Sequence, residues 1–226
     1  DTMIRMRARD EKIVQRITKK EKNGKLIMQK STFNLLYADS TAKSENQEEP
    51  TFIIAYKTVK VYSDSMQAVC DSLHYSQIDS IFRFFKSPVL WSKSQQSVAD
   101  TIFAHTIANK ISEAHLIGAA FIISETGYKP FYDQVSGNFI DAFFQDNQLH
   151  FVHVNENAES LYYAKDESEA YIGLNRSESA KMNVYFKNKQ LDHLVMLEQP
   201  KGKFLPIDQI SENDKFLPLF KLYTHR

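Results

Sequence analysis

The chain has 226 residues, 42% of them hydrophobic and 25% charged, which is the balance of a globular protein able to bury a core. Its 28 Lys and Arg cancel its 28 Asp and Glu, removing any global electrostatic case for nucleic acid or an anionic membrane surface. A single cysteine excludes an internal disulfide framework and a cysteine zinc site, and six glycines make phosphate-cradling loops improbable.

The chain opens on a basic stretch that runs from Arg5 to Lys25 and reads as a solvated hairpin. Ile13-Val14-Gln15-Arg16-Ile17 and Leu26-Ile27-Met28 flank Asn23-Gly24, a pair suited to a two-residue turn. Residues 40–50 are polar and acidic and read as a linker, so residues 1–50 form an N-terminal basic hairpin with its connection. Beyond them strand formers dominate, with 11 Tyr and 16 Phe against 6 Gly and 6 Pro. Cys70, in the small apolar run Ala68-Val69-Cys70, reads as a buried space-filler rather than a nucleophile. Trp91, shortly after Pro88, reads as the anchor of a strand, with a partner interface as the alternative.

Four segments then align: LHYSQIDSIF from Leu73, IFAHTIANKI from Ile102, IDAFFQDNQL from Ile140 and MNVYFKNKQL from Met182. Each alternates apolar and polar residues, passes through a polar turn and restarts nine positions on, at Phe82, Ile111, Leu149 and Leu191. Asn109-Lys110, Asp146-Asn147 and Asn188-Lys189 supply turn residues that accept a positive φ. The starts are 29, 38 and 42 residues apart, so the unit grows by insertion in its other loop, at Glu125 to Pro130 and at Lys165 to Glu169.

A unit of about 30 residues made of short strands cannot close its own apolar face, so neighbouring units must stack. One face carries Leu73, Tyr75, Ile102, Ala104, Ile140, Ala142, Phe144, Met182, Val184 and Phe186. The other carries His74, Asp141, Asn183 and Tyr185, with Phe103 and Phe143 as apolar exceptions. The expectation is an all-β, elongated, repetitive fold, wet on one side and apolar on the other. After Leu197 the pattern decays through Pro200, Gly202, Pro206 and Pro218, leaving residues 211–226 as a tail.

MQAVCDSLHYSQIDSIFRFFKSPVLW (Met66 to Trp91), SVADTIFAHTIANKI (Ser97 to Ile111), AESLYYAKDESEAYIGLNRSESA (Ala158 to Ala180) and KFLPIDQI (Lys203 to Ile210) resemble the OstA-like proteins of Bacteroidetes type. These belong to the LptA/OstA superfamily of lipopolysaccharide-transport and outer-membrane-assembly proteins. The resemblance covers residues 51–210. It implies an open β-jellyroll of stacked antiparallel strands that is periplasmic or outer-membrane-associated and non-enzymatic, needs no cofactor, and shields lipid acyl chains along its apolar face. Implied partners are lipopolysaccharide or lipid A, other jellyroll proteins of the transport machinery joined through edge strands, and further copies of the chain head to tail. Members are longer, so the chain reads as a C-terminal portion of one, without its signal peptide. The alternative is a structural or docking module whose interior is filled by Tyr75, Phe144 and Phe186.

Asp71 and Asp100 hold equivalent repeat positions, and a pair of acids a few ångströms apart is what glycoside hydrolysis uses. A carbohydrate-active enzyme is therefore the remote reading, and turn formation is the simpler role for these residues. His150 and His153 lie three apart in a strand and point to opposite faces, while His74, His105, His115 and His193 fall singly. No metal site is expected. The nucleotide-binding loops and the signature of an RNA-binding sheet are absent.

Overall fold

A computed structural model of the chain describes residues 2–7, 13–22, 25–34, 51–62, 66–92, 94–108, 110–145, 148–187 and 190–224, in which strands predominate. The strands are β1 (Thr2–Arg7), β2 (Ile13–Lys22), β3 (Lys25–Asn34), β4 (Thr51–Tyr62), β5 (Gln67–Ser76), β6 (Ile81–Phe85), β7 (Val89–Ser92) and β8 (Gln95–Val98). They continue with β9 (Thr101–Ile107), β10 (Lys110–Glu125), β11 (Tyr132–Gln145), β12 (Gln148–Lys165), β13 (Tyr171–Lys187), β14 (Gln190–Leu197) and β15 (Lys201–Pro206). β2 and β3 form the expected hairpin, with Lys22 opposite Lys25. Its turn, the linker at residues 40–50 and the turn residues 109, 146–147 and 188–189 lie outside the described residues. All other strands join one antiparallel sheet in the order β1-β4-β5-β6-β9-β10-β11-β12-β13-β14, with β7, β8 and β15 branching from it.

The branches arise because the long strands bend. The first half of β10 pairs with β9 and its second half with β8, while β13 pairs with β14 at one end and with β15 at the other. The sheet therefore folds into two limbs. Every second strand turns the corner with two consecutive left-handed residues: Lys57-Thr58, Lys86-Ser87, Gly118-Ala119, Glu156-Asn157 and Glu198-Gln199. Asp71, Asp100, Asn138 and Ala180 sit singly opposite these pairs, so each corner is a bulge of two residues against one, which bends and re-aims the strand.

At Gly118 the corner is tightest: φ is +76°, and a Cβ would run into the Asp100 carboxylate. Gly118→Ala is expected to lower stability by about 1–3 kcal/mol through backbone strain and this collision. In an Asp100→Ala background the loss should shrink, a coupling that urea melts of the double-mutant cycle will read. Additive losses would show that the carboxylate does not crowd this corner.

The four anchors of the sequence repeats fall in one row across the first limb. Ala55, Leu73, Phe84, Ile102, Leu116, Ile140, Val154, Met182 and Met196 are paired residue to residue over nine strands. Leu73, Phe84, Ile102, Leu116, Ile140, Val154 and Met182 are at most 2% exposed. The inner face of the second limb, through Ala68, Leu90, Ala120, Ile122 and Ala158, packs into the same core.

The loops at 126–131 and 166–170 lie where the insertions were expected. The unit grows in strand length as well. The second-limb hairpin spans only β7 and β8 at first, then the outer halves of β10 with β11 and of β12 with β13, so this limb deepens along the molecule.

Its outer face is covered by the tail. Ile210, Phe216, Leu217 and Phe220 pack on Phe121, Tyr132, Leu161, Tyr163, Leu174 and Leu205. Two glutamines hold the tail by its backbone. The Gln134 amide donates to the Lys215 carbonyl and accepts from the Leu217 N–H, both at 2.8 Å. Gln96 donates to the Lys221 carbonyl at 2.7 Å and accepts from the Tyr223 N–H at 2.8 Å.

Candidate functional site: a cleft between the two limbs

The ten residues expected on the apolar face do share one face of the first limb. Leu73, Ile102, Ile140 and Met182 lie in the row described above. Tyr75, Ala104, Ala142 and Val184 lie in the next row, which runs Ile53, Tyr75, Phe82, Ala104, Ala114, Ala142, Val152, Val184, Leu194. Phe144 and Phe186 lie in a third row, opposite Leu149 and Leu191, and are half-buried. The face thus grades from a sealed floor to a partly open rim.

Bulges make the third row possible. Ser112, His150 and Asp192 are extra residues relative to their partner strands, and they keep Ile111, Leu149 and Leu191 inward while Glu113, Phe151 and His193 turn outward.

Between this rim and the second limb lies a cavity of about 330 Å³. Leu149, Val152, Val184, Phe186, Leu191 and Leu194 form one wall, and Ile122, Val135, Ser160, Tyr162 and Asp133 contribute to the other. A second, smaller space of about 40 Å³ is lined by Ile102, Ala142, Phe144 and Leu149 among others. Of the ten expected residues, Val184 and Phe186 line the larger cavity, and Ile102, Ala142 and Phe144 the smaller. Leu73, Tyr75, Ala104, Ile140 and Met182 line neither. The cavity residues missing from the expected set divide into three kinds, of which Val152 and Leu194 lie on the first limb's return strands, just beyond the aligned segments. Leu149 and Leu191 were signalled by the nine-residue restarts. Those of the second limb lie in strands that the alignment did not reach.

The apolar wall faces a partly polar one. The Asp133 carboxylate accepts the Tyr163 backbone N–H at 2.9 Å, and burial pushes its carboxyl up to about 7. Lys165 lies at the same cavity, bound to Glu169 at 3.0 Å and placed 5.0 Å from the centre of the Tyr171 ring. Tyr171 donates to the Thr126 carbonyl at 2.7 Å, tying the two long loops together at the mouth. The cleft can therefore hold an apolar group against the half-buried Phe186, Leu191 and Leu194 and place polar atoms beside Lys165.

The remaining candidates have local roles. Asp71 on β5 pairs with Lys86 at 3.1 Å, and Asp100, in the bend between β8 and β9, fills the corner against Gly118, with β6 running between β5 and β9. Cys70 is buried and its thiol is pushed up to about 11 by that burial, which keeps it an unreactive filler. Trp91 is buried within β7. The histidines do not all fall singly: the rings of His105 and His115 lie 5.2 Å apart on the outer face.

No protein-family model matches the chain, and no curated protein does. Among solved structures the chain is similar to LptH of Pseudomonas aeruginosa, the LptA homologous periplasmic component of the conserved lipopolysaccharide transport device. The identity is 13% and the TM-score 0.47, over 62% of this chain and 93% of that one.

Proposed function

We propose that the chain is a non-enzymatic, periplasmic or outer-membrane-associated module that shields acyl chains of lipopolysaccharide or lipid A. The observation that carries this reading is the half-buried rim of Phe186, Leu149 and Leu191 opening on a cavity at the end of a continuous apolar face. Its volume falls in the lower part of the range of roughly 300–1,000 Å³ typical of small-ligand sites, enough for a segment of acyl chain. Each square ångström of chain hidden there gains about 25 cal/mol, with no covalent chemistry required. The choice of lipid rests on the sequence resemblance. Further jellyroll modules, including copies of this chain, would join at β1 and β14, which among the described strands each pair on one side only.

A photo-crosslinker at Leu191 is expected to capture lipid A, while one at Asn183, on the outer face, captures none. Phe186→Asp should reduce that capture at least tenfold with an unchanged circular dichroism spectrum, because the position is only half-buried. Equal labelling at both positions, or none at Leu191, would remove the lipid assignment. Ala142 is no use as a probe, since at 2% exposure an arginine there attacks the core itself.

The second reading is a docking module with a filled interior. Its support is that the row from Leu73 to Met182 is sealed, so the first part of the apolar face is ordinary core. It predicts that lysine at Val195, 39% exposed on β14, abolishes association with a partner while Phe186→Asp leaves it intact.

A further inference from the structure

We propose that the outer face of the first limb carries a zinc-binding site made by His105, Glu113 and His115, with Asp141 as its positioning residue. The inference concerns the side of the sheet facing away from the cleft and does not depend on what the cleft binds.

Register alone brings the three side chains together. His105 on β9 lies directly opposite Glu113 on β10, and His115 follows Glu113 by two residues on the same face. The Ser112 bulge is the reason: in a regular strand Glu113, two residues on, would share the inward face with Ile111. One ligand atom from each of the three lies within 4.8 Å of the others, and His115 Nε2 is 3.5 Å from the Glu113 carboxylate. A tetrahedral ion with bonds of 2.0–2.1 Å holds its ligand atoms about 3.3 Å apart, so small side-chain rotations suffice.

The second observation is the hydrogen bond from His115 to Asp141, 2.7 Å from Nδ1 to Oδ1. A carboxylate takes a proton from Nδ1, which fixes the tautomer and leaves the Nε2 lone pair directed at the cluster, the arrangement that orients zinc-bound histidines. Along the sheet the cluster is flanked by Ile81 beside His105, Phe143 beside Glu113 and Phe103 beside His115. Apolar neighbours of this kind limit water and strengthen ligation.

The internal repeats supply a third. The position of His105 and Glu113 is occupied in the next repeat by Phe143 and Phe151, stacked at 5.6 Å, and in the last by Tyr185 and His193, stacked at 4.4 Å. His115 with Asp141 corresponds to His153 with Asn183, the same 2.7 Å contact made to an amide instead of a carboxylate. The fold is satisfied by aromatic pairs at this position, so it does not itself demand the ligand set. Two imidazoles and one carboxylate with a solvent-facing fourth position suit Zn²⁺, whereas Ca²⁺ and Mg²⁺ prefer oxygen donors throughout.

The test is titration of the whole chain with Zn²⁺ against a competing indicator, alongside the visible spectrum of the Co²⁺ form. One equivalent should bind, and Co²⁺ should give four-coordinate bands. His105→Gln and His115→Gln should each weaken binding at least 100-fold, and Asp141→Asn 10–100-fold with the stoichiometry kept. His153→Ala should leave affinity within threefold. On the unmodified chain, Zn²⁺ should protect His105 and His115, but not His193, from diethylpyrocarbonate as read by mass spectrometry, a result independent of how any variant folds. Absence of saturable binding at one equivalent, affinity unchanged in both His→Gln variants, or no protection of His105 and His115 would overturn the site.

Discussion

Ile140→Asp is expected to leave no folded protein at neutral pH, and Ile140→Ala to lower stability by about 3–4 kcal/mol. Ile140 is fully buried between Leu116 and Val154, in the middle of the row that crosses nine strands. Removing its side chain leaves a hole that rigid neighbouring strands cannot collapse around, so a transfer cost and a cavity cost add. A carboxylate in the same place finds apolar side chains across both of its strands, and its desolvation of several kcal/mol is a large share of a typical domain's total of about 5–15 kcal/mol. Phe144, half-buried in the third row, provides the contrast: Phe144→Ala should lose appreciably less. Urea melts followed by far-ultraviolet circular dichroism will order the three variants. A folded Ile140→Asp with a normal midpoint would mean that the row does not hold the limbs together.

Asp133→Asn is expected to stabilise the protein at pH 8 and to change little at pH 3. Burial keeps the folded carboxyl protonated up to about pH 7, against an ordinary value of 3.8. Between these values the folded state holds a proton that the unfolded chain has released, so stability falls as pH rises through the window. Above pH 7 the whole penalty is present, about 4 kcal/mol at most. Asparagine keeps an acceptor for the Tyr163 N–H and carries no charge. Melts at pH 3, 5, 7 and 8 should therefore diverge, the native chain losing ground to the variant as pH rises. Parallel profiles would show that the carboxyl is hydrated in the cavity and titrates normally.

The first limb was legible because one signal, two-residue alternation that restarts nine positions after each anchor, is read directly in the chain and is also what pairs the strands. The anchors Leu73, Ile102, Ile140 and Met182 landed in a single row for that reason. Phe103 and Phe143, exceptions in the pattern, are outward residues that join cross-strand aromatic contacts with Phe85 and Phe151. The second limb was not legible. Its strands turn at corners built from left-handed pairs such as Lys57-Thr58, Lys86-Ser87 and Glu198-Gln199, whose side chains carry little turn signature, whereas Gly118 and Asn157 do announce themselves. Half of the cavity wall therefore escaped the reading, including Asp133. The pairing of His105 with Glu113 escaped for a different reason: the Ser112 bulge reverses the alternation after Ile111, and a bulge leaves no mark in a sequence read by period.

The two glutamine clamps on the tail also set an order in time. They join residues 81 to 127 positions apart, the kind of contact whose loop-closure cost is met only after nearer pairings exist. The tail therefore docks after the second limb has formed. The Leu217 and Tyr223 amide hydrogens, held by side chains rather than by a strand, should be the last to gain protection from exchange during refolding and the first to lose it.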